Sequence, residues 1–309
     1  MHALHLRTFS ICLLLVLASS ATAQDSLRVQ GDSLRLAGDL AGAVEAYREA
    51  VAHPGDDEAD AYALASTFAL QPQYPDSAFF YLDRALETEE SMQPLYDADL
   101  YFLTEDERWN QVEERQLDKL ATQVAGPFNR AYARDLLRIR MKEWGFRYHI
   151  MLAYRQLGPA SPILSALAKA MDEHHSANEV EIRRLIQKHG WPELSAVGEE
   201  AAYAAGNVIN HADLATRQKY LPLLKTVCER GEGDWSRYAH ILDRTELELG
   251  NPQVYGTQME QNEETGRYEP RLMIDPKHVN ERRAEKGMEP IETQLKRFNE
   301  NMQRDFGSK

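Results

Sequence analysis

The sequence predicts a mainly α-helical protein, in which a short array of helical repeats precedes an α-helical domain with one small β-hairpin. Three observations support this prediction. Apolar and small residues recur at helical spacing from Leu27 onward, and part of that pattern repeats after 35 residues. The periodicity changes to an extended character only after Gly250, which is where the hairpin is expected.

The composition and charge exclude several classes of protein. The chain has 309 residues, of which 43% are hydrophobic and 27% are charged, as in an ordinary globular protein and unlike a disordered or polytopic membrane chain. Because 35 Lys and Arg residues face 49 Asp and Glu residues, the net charge is −14. No broad cationic face is available for a phosphate backbone, so nucleic acid is not an expected partner.

Residues 1–23 are predicted to be an export signal that is cleaved after Ala23. Arg7 opens a short basic start, residues 11–18 form an apolar run that is too short to span a bilayer, and small residues follow at 21–23. An amphipathic or buried N-terminal helix is the alternative, which the unbroken apolar run fits poorly. We therefore expect a periplasmic or secreted protein without a transmembrane segment.

Residues 24–125 carry a helix-pair pattern in two copies and an incomplete third. Gly38-Asp39 is the expected turn of the first pair, and the small residues Ala43 and Ala50 recur 35 residues later as Ala78 and Ala85. This step is close to the period of about 34 residues of tetratricopeptide repeats, which the pattern resembles. Such an array either supports the following domain or presents a groove to a protein or peptide partner. The sequence leaves both alternatives open.

We place a domain boundary at Gly126-Pro127 and predict a helical domain over 127–295, followed by a charged tail over 296–309. One stretch, 196–210, is rich in small residues, which implies a helix closely surrounded by others. The predicted elements are helices near 130–140, 146–157, 162–188, 196–210, 214–230 and 234–249, a hairpin with strands in 251–258 and 267–272, and a charged helix over 279–298.

Polar residues of three segments of this domain are predicted to converge. The candidate catalytic residues are His211, Asp213, Asp243 and Arg244, and the candidate binding residues are Trp191, Gln253, Tyr255, Thr257 and Gln258. Together they could supply an imidazole that moves protons, a carboxylate that orients it and a guanidinium that stabilises an anion. The same residues also fit a purely structural hydrogen-bond network. An open pocket with shifted pKa values would favour an enzyme, and buried, mutually bonded groups would favour the network.

Other chemistries find little support in the sequence. It contains no His-Glu-x-x-His motif, no Gly-x-Ser-x-Gly elbow and no Gly-rich phosphate loop, and no metal or cofactor is predicted. His174-His175 with Glu179 could place metal ligands on one helix. Adjacent side chains point about 100° apart, however, so we expect a solvated helix face there. Cys228, the only thiol left after cleavage, is expected to be a packed side chain.

Several short motifs resemble an uncharacterised bacterial family, domain of unknown function 6624, over roughly residues 129–295. In one respect the chain departs from the family pattern, which has an acidic residue and Gln before an Arg early in the domain. This chain has Trp144-Gly145-Phe146-Arg147 there, so the acidic residue of the family is expected to be missing. The resemblance implies an architecture and a set of residues but no chemistry. The motifs that carry it are His189-Gly190-Trp191-Pro192, His211-Ala212-Asp213, Tyr255-Gly256-Thr257-Gln258 and Arg282-Arg283.

Two hypotheses about function follow. The favoured one is an exported helical-repeat protein that binds a protein or a small ligand. The alternative is a hydrolase-like enzyme in which His211 acts as acid or base, with Asp213 or Asp243 as its orienting carboxylate.

Overall fold

The computed structural model describes residues 25–52, 58–87 and 92–306. The predicted export signal lies outside these residues. The described part is mainly α-helical and contains one two-stranded antiparallel sheet, which confirms the predicted fold class. No helix in it is both long enough and apolar enough to cross a membrane. The chain divides into two compact units between Gln116 and Leu117.

The first unit consists of helices that follow one another closely in the chain. Two short 3₁₀ helices, Gln93–Leu95 and Ala98–Glu105, precede its last helix, which continues into the second unit. The α-helices are α1 (25–37), α2 (Leu40–Ala52), α3 (Glu58–Ala69), α4 (Pro75–Ala85) and α5 (Trp109–Gln123).

The first helix pair is held together by a close approach at Gly31. A Cβ atom at this position would lie 2.4 Å from the ring of Tyr47 on α2, so only glycine leaves room for that ring. Tyr47 is fully buried and donates a hydrogen bond of 2.7 Å to Asp32 on α1. Gly38 makes the turn between α1 and α2 with a φ of +87°, a conformation that favours glycine.

The second helix pair buries the residues that the sequence places at equivalent positions. Ala78 and Ala85 on α4 are buried, as are their counterparts Ala43 and Ala50 on α2. Small side chains at these positions let helices approach closely. Assignment of the pairs to the tetratricopeptide class stays a prediction.

The second unit consists mainly of α-helices. The C-terminal part of α5 opens it, and Gly126 donates a backbone hydrogen bond of 2.9 Å to Ser195 within it. The helices that follow are α6 (Arg130–Trp144), α7 (Arg147–Leu157), α8 (Pro162–His189), α9 (Leu194–Val197), α10 (Glu199–His211), α11 (Leu214–Glu229), α12 (Trp235–Glu248), α13 (Val279–Ala284) and α14 (Ile291–Phe306).

Helix α10 lies at the centre of the second unit and packs against α6, α8, α11 and α12. Its small residues make this possible: Ala201, Ala204 and Ala205 are almost completely buried, and Gly206 leaves space for the aliphatic part of Arg237 on α12. The expectation of a helix closely surrounded by others therefore agrees with the structure.

The hairpin joins β1 (Met259–Gln261) to β2 (Tyr268–Pro270), with Glu260 opposite Glu269. In the turn, Asn262 accepts hydrogen bonds of 3.0 Å from the backbone N–H groups of Glu264 and Thr265. The turn material expected over 262–266 is thus where the chain reverses.

The C-terminal segment differs from the prediction of one helix over 279–298 followed by a charged tail over 296–309. Gly287, with a φ of +67°, and Pro290 separate α13 from α14, and α14 continues to Phe306. The end of α14 is anchored because Asp305 is buried and accepts a hydrogen bond of 2.6 Å from Arg147 on α7. Most of the expected tail is therefore packed helix.

Candidate functional site

The structure separates the predicted site residues into two polar clusters of the second unit. The separation starts on α12, where Asp243 and Arg244 are adjacent in sequence. Consecutive side chains of a helix point about 100° apart, so the two groups face different neighbours. Asp243 faces the loop before the hairpin. The charge of Arg244 acts on His211 at the end of α10.

Asp243 is fully buried and organises the Val254–Thr257 loop. Its carboxylate accepts hydrogen bonds from the backbone N–H groups of Val254 at 2.7 Å, Tyr255 at 3.0 Å and Thr257 at 2.9 Å, and from the Thr257 hydroxyl at 2.9 Å. Burial raises the pKa of Asp243, and these hydrogen bonds oppose the rise. All of its bonded partners are donors, which is the arrangement an ionised carboxylate requires.

Gln253 closes the same loop from the other side. Its side-chain NH₂ group donates to the backbone carbonyls of Gln258 at 3.0 Å and Arg271 at 2.8 Å, and its carbonyl oxygen accepts from the Gln258 N–H at 2.9 Å. Gln258 in turn donates to the Thr257 hydroxyl at 3.1 Å. Gln258 also donates to the carbonyl of His240 at 3.3 Å, which joins the hairpin entry to α12.

Arg282 and Arg283 of α13 fasten this loop from the opposite direction. Arg282 donates to the carbonyl of Val254 at 3.0 Å, and the fully buried Arg283 donates to the carbonyl of Tyr255 at 2.7 Å. The Tyr-Gly-Thr-Gln and Arg-Arg motifs are therefore parts of one hydrogen-bonded network, in which Tyr255 itself is buried. We name this network, together with Asp243 and Gln253, the loop cluster.

Two further candidates lie outside both clusters. Asp213 is exposed and caps α11 by accepting a hydrogen bond of 2.7 Å from the N–H of Thr216. Neither carboxylate of that hypothesis bonds His211 among the described residues, since Asp243 is bonded by the hairpin loop and Asp213 caps α11. Trp191 is buried against a small cavity of about 200 Å³ that Arg140, Tyr203 and Arg237 also line.

His211 lies next to a second histidine, His175 of α8. The two rings meet edge to face, with their centroids 5.9 Å apart. His211 reaches solvent, while partial removal from water and the charge of Arg244 lower its pKa to about 4. The imidazole of His211 is therefore neutral near pH 7.

The carboxylate of this second cluster was not among the predicted site residues. Glu143, at the end of α6, accepts 2.8 Å hydrogen bonds from Asn178 and from Nδ1 of His175. Burial alone would raise the pKa of Glu143, but these bonds outweigh it and the pKa is lowered. The hydrogen bond that His175 donates to Glu143 raises the pKa of His175. Glu143 directly precedes Trp144 in the sequence.

His174 and His175 were expected on a solvated helix face, but both side chains contact other parts of the protein. His175 contacts Glu143, and His174 stacks on Phe146 with ring centroids 5.1 Å apart. A signal was present in the sequence, because His175 and Asn178 share a helical stripe with the buried Ile182. That stripe marks the inward face of α8.

Two polar atoms of this second cluster have no hydrogen-bond partner among the described residues. They are the buried Nε2 of His175 and the buried Nε of Arg244. We name His175, Glu143, His211 and Arg244 the histidine cluster. The Nε atoms of Arg217 on α11 and Arg237 on α12 share this feature, so the cluster is distinguished by the contact between its two histidines rather than by unbonded atoms alone.

The described residues give no support for a metal site or a reactive thiol. Within them, no group of three or more His, Cys, Asp or Glu side chains is arranged to hold a metal ion. Cys228 is buried, and its burial raises the pKa of the thiol to about 12, so it packs as a neutral side chain.

The comparisons with known proteins agree with the motif resemblance. Residues 135–304 match the family of unknown function DUF6624, a range that contains both the loop cluster and the histidine cluster. No curated protein and no solved structure matches the chain. Because the matched range covers more than half of the sequence, this chain belongs to the DUF6624 family.

Proposed function

We propose that the second unit is an enzyme that transfers a proton through His175. The observation that carries this proposal is the buried Nε2 of His175, which has no partner among the described residues while Nδ1 of the same ring is held by Glu143. A carboxylate at one ring nitrogen fixes the orientation and tautomer of the imidazole, so that the other nitrogen can exchange a proton with a substrate or water molecule that reaches it. The reaction class that fits is hydrolysis or another acyl or phosphoryl transfer.

The two histidines of the cluster differ in pKa, which gives them different roles. The pKa of His175 is raised by Glu143, whereas that of His211 is lowered to about 4. The raised pKa makes His175 the stronger base of the two, and the neutral His211 can orient a substrate or a water molecule by hydrogen bonding. Neighbouring groups whose environments push their pKa values apart are a common arrangement for acid–base catalysis.

The hypothesis of a peptide groove in the first unit receives less support. Segments that follow α4 contact the helices that would line such a groove, because Tyr62 of α3 donates a hydrogen bond of 2.8 Å to Asp97 and Arg35 of α1 pairs with Asp99. The helix Ala98–Glu105 also packs on α3. We propose that this unit has a supporting role. Export and cleavage after Ala23 stay predictions from the sequence.

The experiment has a spectroscopic and a kinetic part. Glu143→Gln should lower the pKa of His175 toward the ordinary value of about 6.5, because the charged partner is lost. A pH titration of the imidazole resonances by NMR measures this shift. With p-nitrophenyl acetate and bis(p-nitrophenyl) phosphate as probes, His175→Gln should slow hydrolysis about 10²-fold, the usual contribution of a general base.

The matched control is His278→Gln, which removes an exposed histidine that is also paired with a carboxylate, Asp275. It should leave both rates unchanged. Equal rates for the wild-type protein and His175→Gln on both probes would overturn the proposal. An unchanged His175 titration in Glu143→Gln would also contradict it.

A further inference from the structure

Arg244 lacks the partners that a half-buried arginine normally has. Its guanidinium forms no ion pair and no hydrogen bond with any residue that the structure describes, and its Nε is buried. Taking a guanidinium out of water without a counter-charge is unfavourable. Burial, together with the charge of Arg217, accordingly lowers the pKa of Arg244.

The carboxylate that could neutralise Arg244 has another partner. Glu248 lies one turn further along α12, at the spacing of a helical ion pair, but beyond ion-pair distance of Arg244. It pairs instead with Arg217, which is buried and also donates a hydrogen bond of 2.5 Å to the carbonyl of Ala212. Glu248 still attracts the charge of Arg244 through space, but it forms no hydrogen bond or ion pair with that guanidinium.

A hollow of about 420 Å³ opens beside this guanidinium. Arg244, Leu247, Glu248, Gln258 and Arg271 line it. Gln258 is held in place, because its NH₂ group donates to the Thr257 hydroxyl and to the carbonyl of His240. The wall of the hollow that the loop cluster supplies is therefore fixed before any ligand enters.

We propose that this hollow binds an anionic group of the substrate, a phosphate or a carboxylate, through the guanidinium of Arg244 with Arg271 at the rim. The planar fork of an arginine matches both groups, and the bound anion would supply a directly bonded counter-charge. The inference rests on the proposed function in one respect: it takes the bound anion to be part of the substrate on which His175 acts, with Arg244 as the residue that the hollow shares with the histidine cluster.

The test uses the full chain with inorganic phosphate and sodium acetate as probes, and sodium chloride at matched ionic strength as the control. Phosphate or acetate should raise the midpoint of thermal unfolding, since a ligand that binds only the folded state stabilises it. Isothermal titration calorimetry should then show that Arg244→Gln raises the Kd of that anion at least about tenfold. The probe that binds more tightly distinguishes a phosphate ester from a carboxylate.

Two variants separate binding from folding. Arg244→Gln should unfold at the same temperature as the wild-type protein or higher, because the arginine has no bonded partner to lose. Arg184→Gln is the control for a general loss of positive charge, since Arg184 is exposed and paired with Glu181. It should leave the Kd unchanged. The inference fails if neither anion exceeds the chloride control, or if Arg244→Gln retains wild-type affinity.

Failure of this inference is distinguishable from failure of the proposed function. Anion binding that is lost in Arg244→Gln, together with unchanged hydrolysis rates in His175→Gln, would leave a binding site without chemistry. The reverse result would leave a base without this anion site. A third measurement joins the two: an anion bound at Arg244 should raise the pKa of His211 above about 4 in the NMR titration, because the charge of Arg244 contributes to that low value.

Discussion

The loop cluster and the histidine cluster begin at neighbouring residues of α12, yet they differ in how far their polar groups are bonded. In the loop cluster, Asp243 accepts from three backbone N–H groups and one hydroxyl. In the histidine cluster, His175 and Arg244 each keep a buried nitrogen without a partner among the described residues. A bonded set accounts for its own burial, whereas an unbonded nitrogen leaves a donor or acceptor that a water molecule or a ligand can satisfy. We therefore propose a structural role for the first cluster and a functional role for the second.

The largest effect should come from removing the centre of the loop cluster. Asp243→Ala would leave the N–H groups of Val254, Tyr255 and Thr257 without an acceptor inside the protein, and should lower the free energy of unfolding by about 3–5 kcal/mol. Urea unfolding followed by circular dichroism measures the loss. Asp243→Asn keeps the shape of the side chain but turns an NH₂ group toward these donors, so it should also lose stability. A loss below about 1 kcal/mol in Asp243→Ala would contradict a structural role.

A smaller effect is expected at Asp213, whose carboxylate bonds a single helix terminus. The hydrogen bond from Thr216 lowers the pKa of Asp213 below its ordinary value, so the ionised cap stabilises the folded state at neutral pH. This contribution is present above the unfolded pKa of about 3.9 and is lost as the pH falls through the lower folded pKa. Asp213→Ala should therefore have a slightly lower melting temperature than the wild-type protein at pH 7. The decrease should be smaller than that of Asp243→Ala.

The pH dependence supplies the control for Asp213. The difference in melting temperature between the wild-type protein and Asp213→Ala should shrink as the pH is lowered past that folded pKa. A difference that stays constant down to pH 2 would show that the charge of the cap does not contribute.

Much of the fold could be predicted from local sequence. Small residues at regular spacing indicated the close contacts of α2, α4 and α10, and the change of period after Gly250 indicated the hairpin. The division between the compact units was harder to predict, because it lies inside α5 rather than at Gly126-Pro127. A continuous helix carries no composition signal for such a boundary.

The candidate site was predicted only in part, because sequence spacing does not tell which face meets which neighbour. Asp243 and Arg244 were expected to act together, but their directions on α12 place them in different clusters. The partners Glu143 and His175 lie 32 residues apart on two helices, and only the packing of α6 against α8 brings them together. Spacing within α8 could have marked His175 as inward-facing. It could not have identified Glu143 as the residue in contact.

The smallest effect on stability, and the sharpest contrast with the loop cluster, is expected for His211→Ala. His211 reaches solvent, forms no hydrogen bond with any described residue and is neutral near pH 7, so its removal costs the fold little. The melting temperature should stay within about 1–2 °C of the wild-type value, as for other exposed substitutions in a chain of this size. Hydrolysis of the nitrophenyl probes should nevertheless slow, because His211 faces the ring of His175. If His211→Ala instead melted as early as Asp243→Ala, the histidine cluster would be part of the structural network, and the distinction between bonded and unbonded groups would fail.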